Sequence, residues 1–148
     1  MEVTEGAARK RREANGMIPR PARLSRILII EDEQETRDAI EALLKRDGYR
    51  TSAARNEEDA IEKIGEHPPN LILVSLSGSP EHVVETSRRI REKGGLSDGT
   101  PIVIFSIATV REGAEEEIGY NTYVTVPDNF NQLRALLTRL LGTESRAQ

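Results

Sequence analysis

From Arg26 onward the chain alternates between two hydrophobic rhythms. Ile27, Leu28, Ile29 and Ile30 form a short, largely β-branched, unbroken apolar run ending at Glu31, as expected of a strand buried on both faces. Thr36, Ala39, Ile40, Leu43 and Leu44 then recur at three and four residues, predicting a helix that buries them on one face and stops at Gly48. The chain re-enters a sheet near Tyr49 to Ala53. A second helix starts at Asn56, with Asp59 completing a capping arrangement, buries Ala60, Ile61 and Ile64, and ends before Pro68 and Pro69. Leu71 to Leu76 reads as a third strand. After the turn residues Ser77, Gly78, Ser79 and Pro80, a third helix buries Val83, Val84, Ser87 and Ile90 and closes at Gly94 and Gly95. Arg88, Arg89, Arg91 and Lys93 are assigned to its solvent side.

Pro101 opens a fourth strand through Ile102, Val103, Ile104 and Phe105. The segment from Val110 to Ile118 is acidic and only weakly apolar, and it is read as a fourth helix leading into a fifth strand, Thr122 to Val126. Asp128 is expected to cap the last helix, in which Phe130, Leu133, Leu137, Leu140 and Leu141 repeat until Gly142. Five strands alternating with five helices imply an α/β fold. Its sheet should be parallel and five-stranded, with helices on both faces, because each parallel connection needs a crossover. Ligands of such sheets sit at the carboxyl ends of the strands, where the strand order reverses. Glu31, Asp32, Ser75, Ser106 and Val126 are therefore the positions to inspect.

Residues 1–25 show no sustained hydrophobic period and are punctuated by Gly6, Gly16, Pro19 and Pro21, so they read as a flexible basic leader. Met17 is an alternative start that would remove the cluster Arg9, Lys10, Arg11 and Arg12, whose plain reading is a solvated tail. One domain is expected over 26–142, followed by a tail, 143–148. With 148 residues, 36% hydrophobic, 31% charged and only 3% aromatic, the core must be built from Ile, Leu, Val and Ala. The absence of cysteine excludes disulfides, thiolate metal sites and a cysteine nucleophile. No apolar run approaches the ~20 residues of a membrane span, and no apolar signal segment opens the chain, so a cytoplasmic location is expected. The net charge of -4 combines a basic leader with an acidic remainder, which makes nucleic-acid binding by the folded part unfavourable. His67 and His82 have no partners arranged as a ligand set and read as surface residues.

Glu31, Asp32 and Glu33 end the first strand as three consecutive acids, where a phosphate binder would place glycines and backbone donors. Such a pair of carboxylates suits a hard ion such as Mg²⁺. It equally suits the positive N-terminus of the following helix. The residues alone leave both readings open.

The segment Ile27 to Glu33, ILIIEDE, resembles the first strand and acid pair of bacterial response-regulator receiver domains. LILVSL at Leu71 to Leu76, PIVIFSIA at Pro101 to Ala108 and YVTVP at Tyr123 to Pro127 are similar to the family's third, fourth and fifth strands. The resemblance implies a single flavodoxin-like receiver domain. It further implies that Glu31 and Asp32 match the Mg²⁺-binding acid pair, Ser106 the switch hydroxyl, Tyr123 the switch aromatic and Pro127 the proline after the strand-five lysine. Two positions depart from the family. Ser75 stands where the phosphoacceptor aspartate belongs, and Val126 where the lysine belongs.

A serine hydroxyl without an adjacent base is a weak nucleophile compared with a carboxylate. Loss of the lysine removes the cation that would stabilise transferred charge. The chain is thus expected to be a degenerate, non-enzymatic receiver of two-component phosphorelay signalling that acts by protein–protein interaction independent of phosphorylation. No high-affinity metal is expected, weak Mg²⁺ binding at Glu31 and Asp32 being the most the residues allow. With Val126 in place of a lysine, at least one of these acids is expected to have a raised pKa. The expected partner is a signalling protein such as a histidine kinase or another regulator, and a homodimer through the fourth helix, fifth strand and fifth helix is a second expectation. The alternative is a switch worked by a ligand in the acidic crevice, by dimerisation or by seryl phosphorylation at Ser75.

Overall fold

The computed structural model describes residues 25–105, 113–127 and 129–142. The leader up to residue 24, the tail, Ser106 and Asp128 lie outside the described residues. In chain order the elements are β1 (Arg26–Glu31), α1 (Gln34–Arg46), β2 (Arg50–Ala54), α2 (Glu57–Glu66), β3 (Leu71–Ser75), α3 (Pro80–Lys93), β4 (Ile102–Ile104), β5 (Glu115–Gly119), β6 (Thr122–Thr125) and α4 (Phe130–Leu141). The sheet order is β2-β1-β3-β4-β6-β5. All neighbours are parallel except β5 and β6.

The apolar runs become central strands because both of their faces are covered. Leu28 and Ile30 point into one core layer with Ile72, Val74, Val83, Ile90 and Ile104, under α2 and α3. Ile27 and Ile29 point into the other with Leu44, Leu71, Leu73, Leu133 and Leu137, under α1 and α4. Strand periodicity alone divides one run between two layers. Helix ends follow local chemistry. Asn56 accepts the Asp59 amide at 2.8 Å to cap α2, and Gly48, at φ 99°, takes the left-handed position that ends α1. In α1, Ile40 and Leu44 are buried as expected, but Ala39 is exposed, so its apolar stripe is narrower than the sequence pattern indicates.

The segment expected to be a fourth helix is different. Residues 110–112 lie outside the described residues, and Glu115–Gly119 is the strand β5, antiparallel to β6, making the sheet six-stranded and mixed. A helix over Glu115, Glu116 and Glu117 would have little apolar surface to bury. A hairpin satisfies the backbone while leaving those side chains wet. Its two-residue turn, Tyr120 and Asn121, has both residues left-handed, at φ 53° and 57°, the geometry whose twist matches a hairpin.

Two further expectations are corrected. Arg91 is buried, not solvated, with 7% of its surface exposed. Its guanidinium donates to the carbonyls of Ser97 at 2.6 Å, Thr100 at 2.8 Å and Asn121 at 3.4 Å, and to the Thr122 hydroxyl at 3.3 Å. These bonds compensate the desolvation that pushes its pKa down. The cap of α4 is Asn129, whose side chain accepts the Gln132 amide at 3.2 Å.

Candidate functional site

The strand order reverses between β1 and β3, so their carboxyl ends open the crevice in which this architecture binds ligands. Glu31 and Ser75 end these two strands and face each other in register. Glu31 is 5% exposed, and the Ser75 hydroxyl donates to its Oε1 at 2.5 Å. The other oxygen, Oε2, accepts the amide of Glu33 at 3.0 Å. Arg37, one turn into α1, donates to the Glu31 carbonyl at 2.8 Å and fixes the strand end from below the crevice. A buried carboxylate is thus held by hydrogen bonds, with no cation paired to its side chain among the described residues.

Asp32 is exposed and accepts the backbone amide of Ser77 at 3.3 Å. Partial burial opposes its ionisation, but hydrogen bonds from the backbone and side chain of Ser77, and from its own backbone, outweigh this and lower its pKa. The expected rise therefore does not occur at Asp32. The first of these donors come from the turn after β3. Ser77 and Arg37 were not singled out from the sequence. Turn composition marked Ser77 only as a turn residue, and nothing in the pattern shows which turn amide faces an acid.

The structure brings together Glu31, Asp32 and Ser75, but not Tyr123. Register places Val124, not Tyr123, level with Ile104, Val74 and Ile30 across the sheet. The Tyr123 hydroxyl donates to Asn121 Oδ1 at 2.9 Å, toward the hairpin turn and away from the crevice. Burial and the nearby Glu117 carboxylate raise its pKa. Val126 and Pro127 follow β6, with the Val126 carbonyl accepting the Gly113 amide at 2.6 Å. Ser106 lies outside the described residues.

A dedicated Mg²⁺ site needs oxygen ligands in octahedral array, usually one or two carboxylates with waters. Here both oxygens of Glu31 already accept protein donors, and among the described residues no group of three or more His, Asp or Glu side chains could hold a metal. The donor set does not fit such a site. No helix of the structure is long and apolar enough to cross a membrane.

The fold is shared with solved structures. A chain in the complex of histidine kinase ThkA with response regulator TrrA has 22% identity, with 80% of this chain and 100% of that chain covered and a TM-score of 0.62. TrrA from Thermotoga maritima in complex with Mg²⁺–BeF has 24% identity, the same coverage and a TM-score of 0.58. The receiver domain of a signal transduction histidine kinase from Syntrophus aciditrophicus has 22% identity, with 84% of this chain and 95% of that chain covered and a TM-score of 0.59. The family model "Response regulator receiver domain" matches residues 27–138, most of the folded part. With that match laid over a parallel core and an acid-lined crevice at its switch point, the chain belongs to the response regulator receiver domain family.

Proposed function

We propose that this receiver does no phosphotransfer and serves two-component signalling as a protein-binding module rather than as an enzyme. The observation that carries the reading is the hydrogen bond of 2.5 Å from Ser75 to Glu31. In the family resemblance, Ser75 holds the phosphoacceptor position. Its proton is directed at the one buried carboxylate of the crevice, which locks the two strand ends together.

Glu31 could take that proton and become a neutral carboxylic acid, but the resulting alkoxide would share the crevice with the Asp32 carboxylate, with no cation paired to either among the described residues to offset the charge. An incoming phosphoryl group would meet the same repulsion. Val126 supplies no ammonium group, and the acids do not form a metal site. A phosphoserine formed there would also be a stable ester without the self-clearing hydrolysis of an acyl phosphate.

The partner we propose is a signalling protein, a histidine kinase or another regulator. TrrA, which shares the fold, has been solved bound to the kinase ThkA. In the face of the expected homodimer, Glu115–Gly119 is strand β5 rather than part of a fourth helix.

Intact-mass measurement after incubation with acetyl phosphate and Mg²⁺ tests the proposal. The expected mass is unchanged, under conditions that label a receiver carrying aspartate at this position. Gain of one phosphoryl group sinks it.

A further inference from the structure

The β5 edge has properties that the crevice does not explain. β5 is terminal in the sheet, and among the described residues no strand pairs with its outer side. All five of its residues are exposed. Beside it, between α3 and the hairpin, runs a groove of about 490 Å³ whose apolar lining comes from Val84, Leu96, Ile118 and Tyr120. Ile118 and Tyr120 are 41% and 75% exposed, the large apolar side chains that the fold leaves in water among the described residues. The groove lies at the opposite end of the parallel strands from Glu31 and Ser75.

Charge selects the occupant. Glu115 is paired with Arg139, and Arg88 is engaged by Glu85 and Glu92. The Arg91 guanidinium is spent on backbone carbonyls. Asp98 in the lining of the groove and Glu116 and Glu117 on the neighbouring β5 form no ion pair among the described residues, so the groove and the strand beside it carry uncompensated acid. A second copy pairing through the same edge would bring two acidic strands together, which disfavours self-association. Charged side chains on an edge also discourage indiscriminate strand pairing. That protective role accounts for the acids but not for two large apolar side chains beside a groove.

We propose that the β5 edge captures an extended basic peptide segment of a partner protein, which adds a strand to the sheet. Main-chain hydrogen bonds supply affinity, and alternate side chains supply specificity. One apolar side chain of the peptide sits between Val84, Leu96, Ile118 and Tyr120, while Lys or Arg residues reach Glu116, Glu117 and Asp98. This goes beyond the crevice reading, since neither Ser75 nor Glu31 takes part. A phosphorylated Ser75 would leave it untouched.

The test titrates the isotope-labelled full chain with a synthetic peptide of alternating arginine and leucine, and with a control in which glutamate replaces arginine. Expected are chemical-shift changes concentrated at β5, Val84, Leu96 and the Tyr120–Asn121 turn, slower amide exchange in β5, and weakening with added salt. Glu116→Lys with Glu117→Lys, and separately Ile118→Asp, should each weaken binding at least about tenfold. These side chains are exposed, and circular dichroism checks that the variants fold. If one does not, the wild-type shift map decides. Shifts absent from β5 at millimolar peptide, equal binding of the glutamate peptide, or binding that survives charge reversal overturns the proposal. So does a free chain that sediments as a dimer with its β5 amides already protected.

Discussion

Strands β2, β1 and β3 lie in register beneath α1 and α2, with Ile27 to Ile30 and Leu71 to Val74 at most 1% exposed. At the other side of the sheet, β6 is half-covered and β5 is exposed along its whole length. The first region is held by the hydrophobic effect acting on both faces of two adjacent strands. The second depends on polar contacts, chiefly the Arg91 guanidinium that ties α3 and the loop before β4 to the hairpin turn. Recognition surfaces fit the second region better, because β1 and β3, paired along both edges and covered on both faces, have nothing left to offer a partner. Stability fits the first.

The sharpest way to break this comparison is to remove the polar tie. Arg91→Met keeps most of the aliphatic volume but strips donors from the carbonyls of Ser97 and Thr100 in a buried setting. We expect a loss of about 2–4 kcal/mol in urea unfolding, the range for leaving buried polar groups unpaired. Amide exchange should speed up most in the hairpin and the loop before β4. Equal acceleration in β1 and β3 would show that the two regions unfold as one unit and that the contrast drawn between them is wrong.

The regions also differ in how much the sequence reveals. β1, β3 and β4 are continuous apolar runs, and burial on both faces leaves no other use for such runs, so they are legible from composition and length. The hairpin is not legible in this way. Val110 to Ile118 has neither a helical stripe nor strict alternation, and the expected alternation of strand and helix filled the gap. Gly119, Tyr120 and Asn121 before the β-branched and aromatic Thr122 to Val126 were the available signal for a two-residue turn, though weaker than an Asn-Gly pair. Arg91 could have been found. Val84, Ser87 and Arg91 fall at i, i+3 and i+7 on one helix face, but its charge assigned it to solvent. In the crevice, the proximity of Glu31, Asp32 and Ser75 followed from strand order. The direction of the Asp32 shift did not, because it depends on which turn amide points at the carboxylate.

Within the well-packed region, the crevice is the polar joint between β1 and β3, and Ser75→Ala sharpens its role. The substitution leaves buried Glu31 with the Glu33 amide but without its hydroxyl donor. A loss of about 1–2 kcal/mol is expected at neutral pH, smaller than for Arg91 because one donor is lost and the other stays. Chemical denaturation measures it. A neutral result would mean that water replaces the hydroxyl fully and that the joint contributes nothing to holding β1 against β3.

The smallest effect belongs to the surface tie between α2 and α3, where Arg89 donates to both oxygens of Glu57, at 3.0 and 2.9 Å. The hydrogen bond from Arg89 lowers the Glu57 pKa, with burial opposing it and the Arg89 charge reinforcing it. A carboxylate depressed in the folded state stabilises the fold above its unfolded pKa, about 4.3 for glutamate, and that contribution is lost as pH falls through the folded value. A double-mutant cycle of Glu57→Gln and Arg89→Gln should therefore show coupling at pH 7 that disappears in acid. Partial solvent exposure keeps it to a few-fold change in the unfolding equilibrium constant, and added salt should shrink it. Coupling that persists at pH 3 would mean that the pair works through packing of its aliphatic stems, and α2 and α3 would then be joined by the same apolar contact that holds the core beneath them.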